Sequence, residues 1–361
     1  MEQDEETQKR ESFDPDEGTV PGWLRRHDVR LWASGILFML AVIGAMFGIG
    51  AARGWDANSG YSYNTSESTR ERFLPEPFVE EPGVKGRYGP DAAGRWYFWK
   101  LPPDEVTWYT RMFVWTCYCC HQIFVWIVQY KFHTEKVQGN KTYSTSLGKW
   151  NYFYFGINAF FHLLHLLQTH LTYDATAQDV SVVSSQCSVI LVLTFITLLE
   201  YRDRGLFFGW PTRAHTDKWS SRLRLNYAPI YIIRRYHGYL CAWGSVYTLW
   251  YHPMENTWGH ALGFFHTWMI LLQGSLMFSK FHLNPYWRLL QEVWVGLHAG
   301  VVASQTGGPE LDGTKLWPMF VFGFVTLFSL THVIVPQSDV IYEESGEKYI
   351  LDVGNPLTTV K

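Results

Sequence analysis

Long apolar stretches separated by polar segments dominate this chain of 361 residues. A helix needs about 20 residues to cross the hydrocarbon core of a bilayer, and the sequence has eight stretches of about that length. They lie near 30–51, 105–131, 150–173, 179–201, 232–252, 256–280, 285–306 and 314–336. The pattern predicts an all-α, polytopic membrane protein in which about eight transmembrane helices form a bundle.

The basic residues are distributed unevenly between the predicted loops. Cytoplasmic loops of membrane proteins carry an excess of Lys and Arg. If the N-terminus is cytoplasmic, the inner loop at 202–231 is rich in both residue types, whereas the short outer loops 173–179, 252–257 and 307–314 contain neither. An even number of spans agrees with this bias, so both termini are predicted to be cytoplasmic.

Three segments fall outside the predicted transmembrane domain, which covers 30–336. Residues 1–29 are acidic and polar, and they predict a disordered cytoplasmic tail. This tail lacks the apolar core of a cleavable signal peptide, so the first span is expected to remain as an anchor. Residues 52–104 predict a long outer loop, and residues 337–361 predict a second cytoplasmic tail.

The net charge argues against a nucleic-acid-binding protein, and the cysteine spacing argues against a cysteine-ligated metal site. A net charge of −3 gives no reason to expect nucleic acid as a partner. The segment Cys117-Tyr-Cys-Cys-His121 resembles a soft-metal motif, but on a helix its side chains point around most of the circumference. Packing in the apolar interior is therefore the expected role of these cysteines.

Small residues and one arginine bear on how the spans pack. Gly259, Gly263, Gly296 and Gly300 lie in the sixth and seventh spans, and small residues allow helices to approach closely. Arg111 lies within the second span and must reach the interface or pair with an acid. The long outer loop is expected to supply that partner.

Ten of the fourteen histidines fall inside, or at the edge of, the predicted spans. An ionisable side chain in hydrocarbon is costly, and it usually faces a partner, a water-filled cavity or a bound ion. A single histidine can be accounted for by a hydrogen bond to a backbone carbonyl. Histidines that share one depth on several helices instead predict a common site.

Six of these histidines predict a metal site in the outer half of the bundle. They are His162, His165, His170, His260, His266 and His298. At a rise of ~1.5 Å per residue, His165 and His298 both lie ~12 Å from the outer surface and His266 ~15 Å. Imidazole binds iron, copper and zinc, so a transition metal, iron or copper, is the expected cofactor.

A second level of histidines is predicted toward the cytoplasmic side, at His121, His237 and His332. His237 and His252 are fifteen residues apart on the fifth span and share one face of a helix. This pair resembles the helices of transmembrane b-type cytochromes, in which one helix supplies a histidine to each of two stacked haems. The resemblance covers one helix, and it implies b-type haem bound by His237 and His252 with ligands from His121 or His332.

Three functions remain open at this stage. The leading hypothesis is a membrane oxidoreductase or electron-transfer protein with a histidine-ligated metal or haem, and with the lipid bilayer and other electron-transfer subunits as partners. The alternative is a proton-coupled transporter or channel whose histidines form a relay with Gln168, Gln273 and Glu292. The third is a receptor or assembly subunit without a cofactor.

Overall fold

The computed structural model describes residues 22–52, 106–138, 143–172, 174–180, 182–204, 227–306, 317–328, 340–342 and 348–350. These residues form eight α-helices: α1 (His27–Ala52), α2 (Trp108–Gln138), α3 (Lys149–Thr172), α4 (Val182–Arg204), α5 (Tyr227–Tyr251), α6 (Trp258–Ser275), α7 (Pro285–Thr306) and α8 (Trp317–Phe328). A short antiparallel hairpin pairs β1 (Val340–Tyr342) with β2 (Lys348–Ile350).

The helical architecture predicted from the sequence is confirmed, and each helix lies on one of the eight apolar stretches. Among the described residues, two helical segments are long and apolar enough to cross a membrane, His27–Ala52 and Trp108–Lys136. Most of the predicted outer loop at 52–104, most of the two tails and His332 lie outside the described residues.

Helix α6 lies at the centre of the fold, in contact with α1, α3, α5 and α7. Helix α2 packs against α3 and α5, α4 packs against α5, and α8 packs against α7. At the α1–α6 contact the indole nitrogen of Trp268 donates to the carbonyl of Gly35 over 2.8 Å. A Cβ at Gly35 would lie 2.6 Å from the side chain of Leu272, so glycine permits this close approach.

Helix α3 buries polar side chains and exposes apolar ones. Its buried residues include Asn151, Tyr154, Asn158, His162, His165, Gln168 and Thr169. Its exposed large side chains are Tyr152, Phe153, Phe160, Leu163, Leu167 and Leu171. A helix on the surface of a water-soluble protein has the opposite pattern. The inverted pattern is the one expected of a helix that has lipid outside and polar partners inside.

Two short connections fold inward over the end of the bundle where α3 ends and α6 begins. In the first, the hydroxyl of Thr176 donates to the carbonyl of Trp250 over 3.1 Å. In the second, the amide of Met254 donates to the hydroxyl of Thr169 over 2.9 Å. The second connection ends at Thr257, whose hydroxyl caps the N-terminus of α6. These bonds fix the positions of the histidines at that end of the bundle.

Candidate metal centre and histidine network

Both ring nitrogens of His121 on α2 take part in hydrogen bonds. The indole of Trp250, which can only donate, bonds to Nδ1 over 3.1 Å. Nε2 lies 2.9 Å from Oδ1 of Asn158, whose amide is oriented by its Nδ2 donating to the carbonyl of Tyr154. His121 is therefore neutral, with its proton on Nε2, and it has no lone pair left for a metal ion.

His162 on α3 belongs to the same network. Its Nδ1 donates to the backbone carbonyl of Asn158 over 2.7 Å, so the lone pair of the neutral ring is on Nε2. Within the described part of the chain, the buried Nε2 has no hydrogen-bond partner. The ring packs edge-on against Trp268, and its centroid lies 6.3 Å from that of His121.

The contact between His121 and His162 corrects one sequence prediction. His121 was expected at an inner level and His162 at an outer level, yet the two rings are neighbours. The reason is the length of α2, which continues to Gln138 rather than ending near residue 131. His121 therefore lies near the middle of its helix, at the depth of His162.

His165 on α3 has an oxygen acceptor opposite each ring nitrogen. Nε2 donates to the backbone carbonyl of His252 over 2.8 Å, and Nδ1 lies 3.1 Å from Oε1 of Gln168. The amide of Gln168 is oriented by its own Nε2, which donates to Thr172 and to the carbonyl of Asp174. His165 is thus arranged to hold a proton on either nitrogen, or on both, rather than to ligate an ion.

His252, directly after α5, and His260 on α6 form a close pair. Their ring centroids are 5.8 Å apart, and the rings are nearly perpendicular. Nδ1 of His252 bonds to the carbonyl of Thr248 over 3.2 Å, and Nδ1 of His260 lies 2.7 Å from the hydroxyl of Thr257. In both rings a hydrogen bond at Nδ1 fixes the orientation of the imidazole.

His298 on α7 lies near this pair. It interacts electrostatically with both His252 and His260, and its ring hydrogen-bonds with the backbone of Gly259. A Cβ at Gly263 would lie 2.9 Å from Nε2 of His298, so this glycine makes room for the imidazole. No described residue forms a hydrogen bond with that Nε2.

The remaining members of the predicted outer group lie around this core. The ring of His266 is 6.3 Å from that of His298, and His170 interacts electrostatically with His165. In the ranges that the structure describes, no group of three or more His, Cys, Asp or Glu side chains is arranged to hold a metal ion. The predicted metal and haem ligation therefore stays a prediction.

The inner histidines belong to a separate contact. The ring of His237 on α5 lies 6.5 Å from that of His282, and its Nδ1 bonds to the carbonyl of Arg234. His282 lies between α6 and α7 and is largely enclosed. Burial, and then the proximity of His237, lower its pKa to about 4. His237 thus lies in a different network from His121, with which it was predicted to share a haem.

Arg111 finds its partner in a connection other than the one predicted. Its guanidinium forms an ion pair with Asp179, in the connection between α3 and α4. The indole of Trp115 donates to the same carboxylate over 2.7 Å. The long loop at 52–104 was expected to supply this acid, but Asp179 in the short connection between α3 and α4 provides it.

Sequence reasoning missed three buried polar residues in the short connections. Glu255, Asn256 and Asp174 are each 2 % exposed or less, although they lie in segments read as outer loops. Burial raises the pKa of Asp174. Glu255 and Asn256 follow His252 within four residues. A carboxylate and an amide so close to a histidine were the sequence feature that could have indicated a buried polar cluster.

No protein family, curated protein or solved structure matches this chain. Its function is therefore inferred from its own residues.

Proposed function

We propose that this chain is an eight-helix integral membrane protein with cytoplasmic termini and a transition-metal centre near one membrane face. The metal, iron or copper, is held by His252, His260 and His298 and serves an oxidoreductase or electron-transfer reaction. The observation that carries the proposal is the close, nearly perpendicular pair His252–His260, in which each ring is oriented by a hydrogen bond at Nδ1.

The membrane assignment is supported by the inverted pattern of α3. Phe160 and Leu163 are more than half exposed, whereas Asn158 and His162 are 1 % exposed or less. The mean hydropathy of such a helix is low even if the helix crosses a membrane, because its buried polar side chains lower the mean. Helices α1 and α2 contain the segments that are apolar and long enough to cross a bilayer by themselves.

The metal assignment is supported by the geometry of the imidazoles. A histidine that binds a metal commonly hydrogen-bonds through its other ring nitrogen to a carbonyl, a carboxylate or water, which fixes the ring. With metal–nitrogen bonds of about 2.0–2.1 Å, two imidazoles on one tetrahedral ion have centroids roughly 5–6 Å apart. The 5.8 Å between His252 and His260 agrees with this range. Rotation of the His298 side chain would supply the third nitrogen.

Metal analysis of the full chain, purified in a mild detergent, tests the proposal. We expect stoichiometric iron or copper in the purified protein. The variants His252→Ala, His260→Ala and His298→Ala should each lower occupancy more than about tenfold. His121→Ala and His282→Ala are matched controls outside the proposed centre and should retain the metal.

Wild-type protein without metal, when isolated in the absence of chelators, overturns the metal assignment. Equal loss of metal in the His282→Ala control also contradicts it, because the effect would then be general. Circular dichroism on every variant separates loss of a ligand from loss of the fold. The membrane assignment is tested independently by resistance of the chain to carbonate extraction from membranes.

A proton relay is the second candidate, and one observation favours it. His165 has acceptors opposite both nitrogens, so it can take up a second proton without reorientation of its neighbours. Reconstitution in vesicles that contain a pH-sensitive dye tests this function. Proton flux that is abolished in His165→Gln, and retained in His282→Ala, supports a relay. Absence of flux in wild type contradicts it.

A further inference from the structure

Two apolar grooves lie side by side on the outer surface of α2 and α5. The larger, about 550 Å³, is lined on α5 by Ile232, Tyr236 and Trp243, with Phe195 of α4 beside them. The smaller, about 410 Å³, is lined by residues of α2. These are Ile123, Ile127, Tyr130 and Lys131.

Trp126 and Tyr239 line both grooves and separate them. The indole of Trp126 donates to the backbone carbonyl of Tyr239 over 3.1 Å, which links α2 to α5 at the ridge between the grooves. Trp126 is 40 % exposed and Ile123 54 %. The surface on either side of this ridge is therefore apolar and open to the surroundings of the bundle.

Positive charge lies at one end of this surface. Lys131 lines the smaller groove, and the guanidinium of Arg235 lies 5.6 Å from the ring of Tyr236, which lines the larger one. Both side chains are exposed, and both are toward the ends of α2 and α5 predicted to be cytoplasmic. The nearest acid along α2, Glu135, forms an ion pair with Lys149 at 3.3 Å and also interacts electrostatically with Lys131. The described lining of the grooves contains no Asp or Glu.

We propose that this surface binds one anionic phospholipid of the cytoplasmic leaflet. Its phosphate lies between Lys131 and Arg235, and one acyl chain occupies each groove on either side of the Trp126–Tyr239 ridge. Basic pockets between helices on the cytoplasmic side are suited to anionic headgroups, and Tyr side chains such as Tyr130 are suited to the headgroup level. The inference rests on the membrane assignment proposed above, and it does not depend on the metal.

Native mass spectrometry of the full chain tests the site. The protein is exchanged into nanodiscs of phosphatidylcholine with a minor fraction of phosphatidylglycerol, then released into detergent, and the retained lipid is identified. We expect phosphatidylglycerol to be retained preferentially, by about fivefold for each basic side chain. Lys131→Gln with Arg235→Gln should abolish the preference, whereas Lys280→Gln, which removes a charge elsewhere on the cytoplasmic side, should preserve it.

Trp126→Ala provides a second variant that leaves the charges in place. It removes the ridge, so retention of either phospholipid should fall while the anionic preference becomes weaker. Equal retention of both lipids by wild type overturns the proposal, as does a preference that survives the double substitution. A dimer that buries this surface in nanodiscs also overturns it, because a second copy would then occupy the grooves.

Failure of this inference is distinguishable from failure of the proposed membrane function. A protein that enters nanodiscs but shows no lipid preference contradicts the phospholipid site alone. A protein that does not enter nanodiscs at all contradicts the membrane assignment.

Discussion

The Nε2–H of His165 donates to the backbone carbonyl of His252 over 2.8 Å, and this bond joins the middle of α3 to the end of α5. Replacement by alanine leaves that carbonyl without this donor in a buried setting. We expect His165→Ala to destabilise the fold by about 1–3 kcal/mol. Unfolding in mixed detergent micelles measures the change. His165→Gln, which keeps one donor, should recover part of it, and an unchanged midpoint in His165→Ala would contradict the assignment.

Asn158 connects His121 to His162 through its side chain and its backbone. Asn158→Ala removes the acceptor of the buried His121 Nε2–H but leaves the backbone bond to His162. A loss of about 1–3 kcal/mol in unfolding free energy is expected. Thr194→Ala is a suitable control, because its hydroxyl bonds only within its own helix turn and is exposed. Equal stability of Asn158→Ala and wild type would show that the His121 proton is satisfied in another way.

Gly263 on α6 lies directly against the imidazole of His298. The Cβ of Gly263→Ala would stand 2.9 Å from Nε2, so the ring must move. We expect lower metal occupancy together with a lower melting temperature. Gly44→Ala on α1 is the matched control, since its Cβ would meet nothing within 4 Å. Alanine is favoured over glycine in a helix by about 1 kcal/mol, so the control should be neutral or stabilising. Metal occupancy that stays at the wild-type level in Gly263→Ala would argue against ligation by His298.

Most of the helical architecture could be predicted from the sequence, because each long apolar run indicates one helix and its approximate position. The pairing of histidines could not, because it depends on how helices rotate and on where they end. Because α2 extends seven residues beyond 131, His121 lies near the middle of the helix, where its ring is a neighbour of the His162 ring, and not at the predicted inner level. The close approach of α6 and α7 could be anticipated, because small residues such as Gly263 and Gly300 lie in both predicted spans.

The burial of Glu255 and Asn256 could not be predicted, for a different reason. Polar residues in a short segment between two apolar spans ordinarily mark an exposed loop. Here the segment turns inward, and the Met254 amide bonds to Thr169 on α3. A tertiary contact of this kind leaves no periodic pattern in the sequence.

His282, in the turn between α6 and α7, should make stability depend on pH. Its pKa is lowered from 6.5 to about 4 by burial, then by His237 of α5, with Arg288 of α7 acting in the same direction. Since the unfolded chain binds the proton more tightly, stability is complete above about pH 6.5 and falls as the pH decreases toward 4. Melting temperatures across this interval check the effect.

The variant His282→Gln removes the titrating group while retaining a side-chain donor for the carbonyl of Gln273. Its melting temperature should vary less between pH 6.5 and 4 than that of the wild type. A variant curve parallel to the wild-type curve would assign the pH dependence to other groups.

The inverted pattern of α3 has a consequence for how the protein is made. Alone in a bilayer, this helix would present Asn158, His162, His165 and Gln168 to lipid with only the partners that α3 itself provides. In the folded chain, His121 of α2, Trp268 of α6 and the carbonyl of His252 after α5 contact this face. In the proposed membrane protein, α3 would therefore remain at the insertion machinery until α6 has been synthesised and can pack against it.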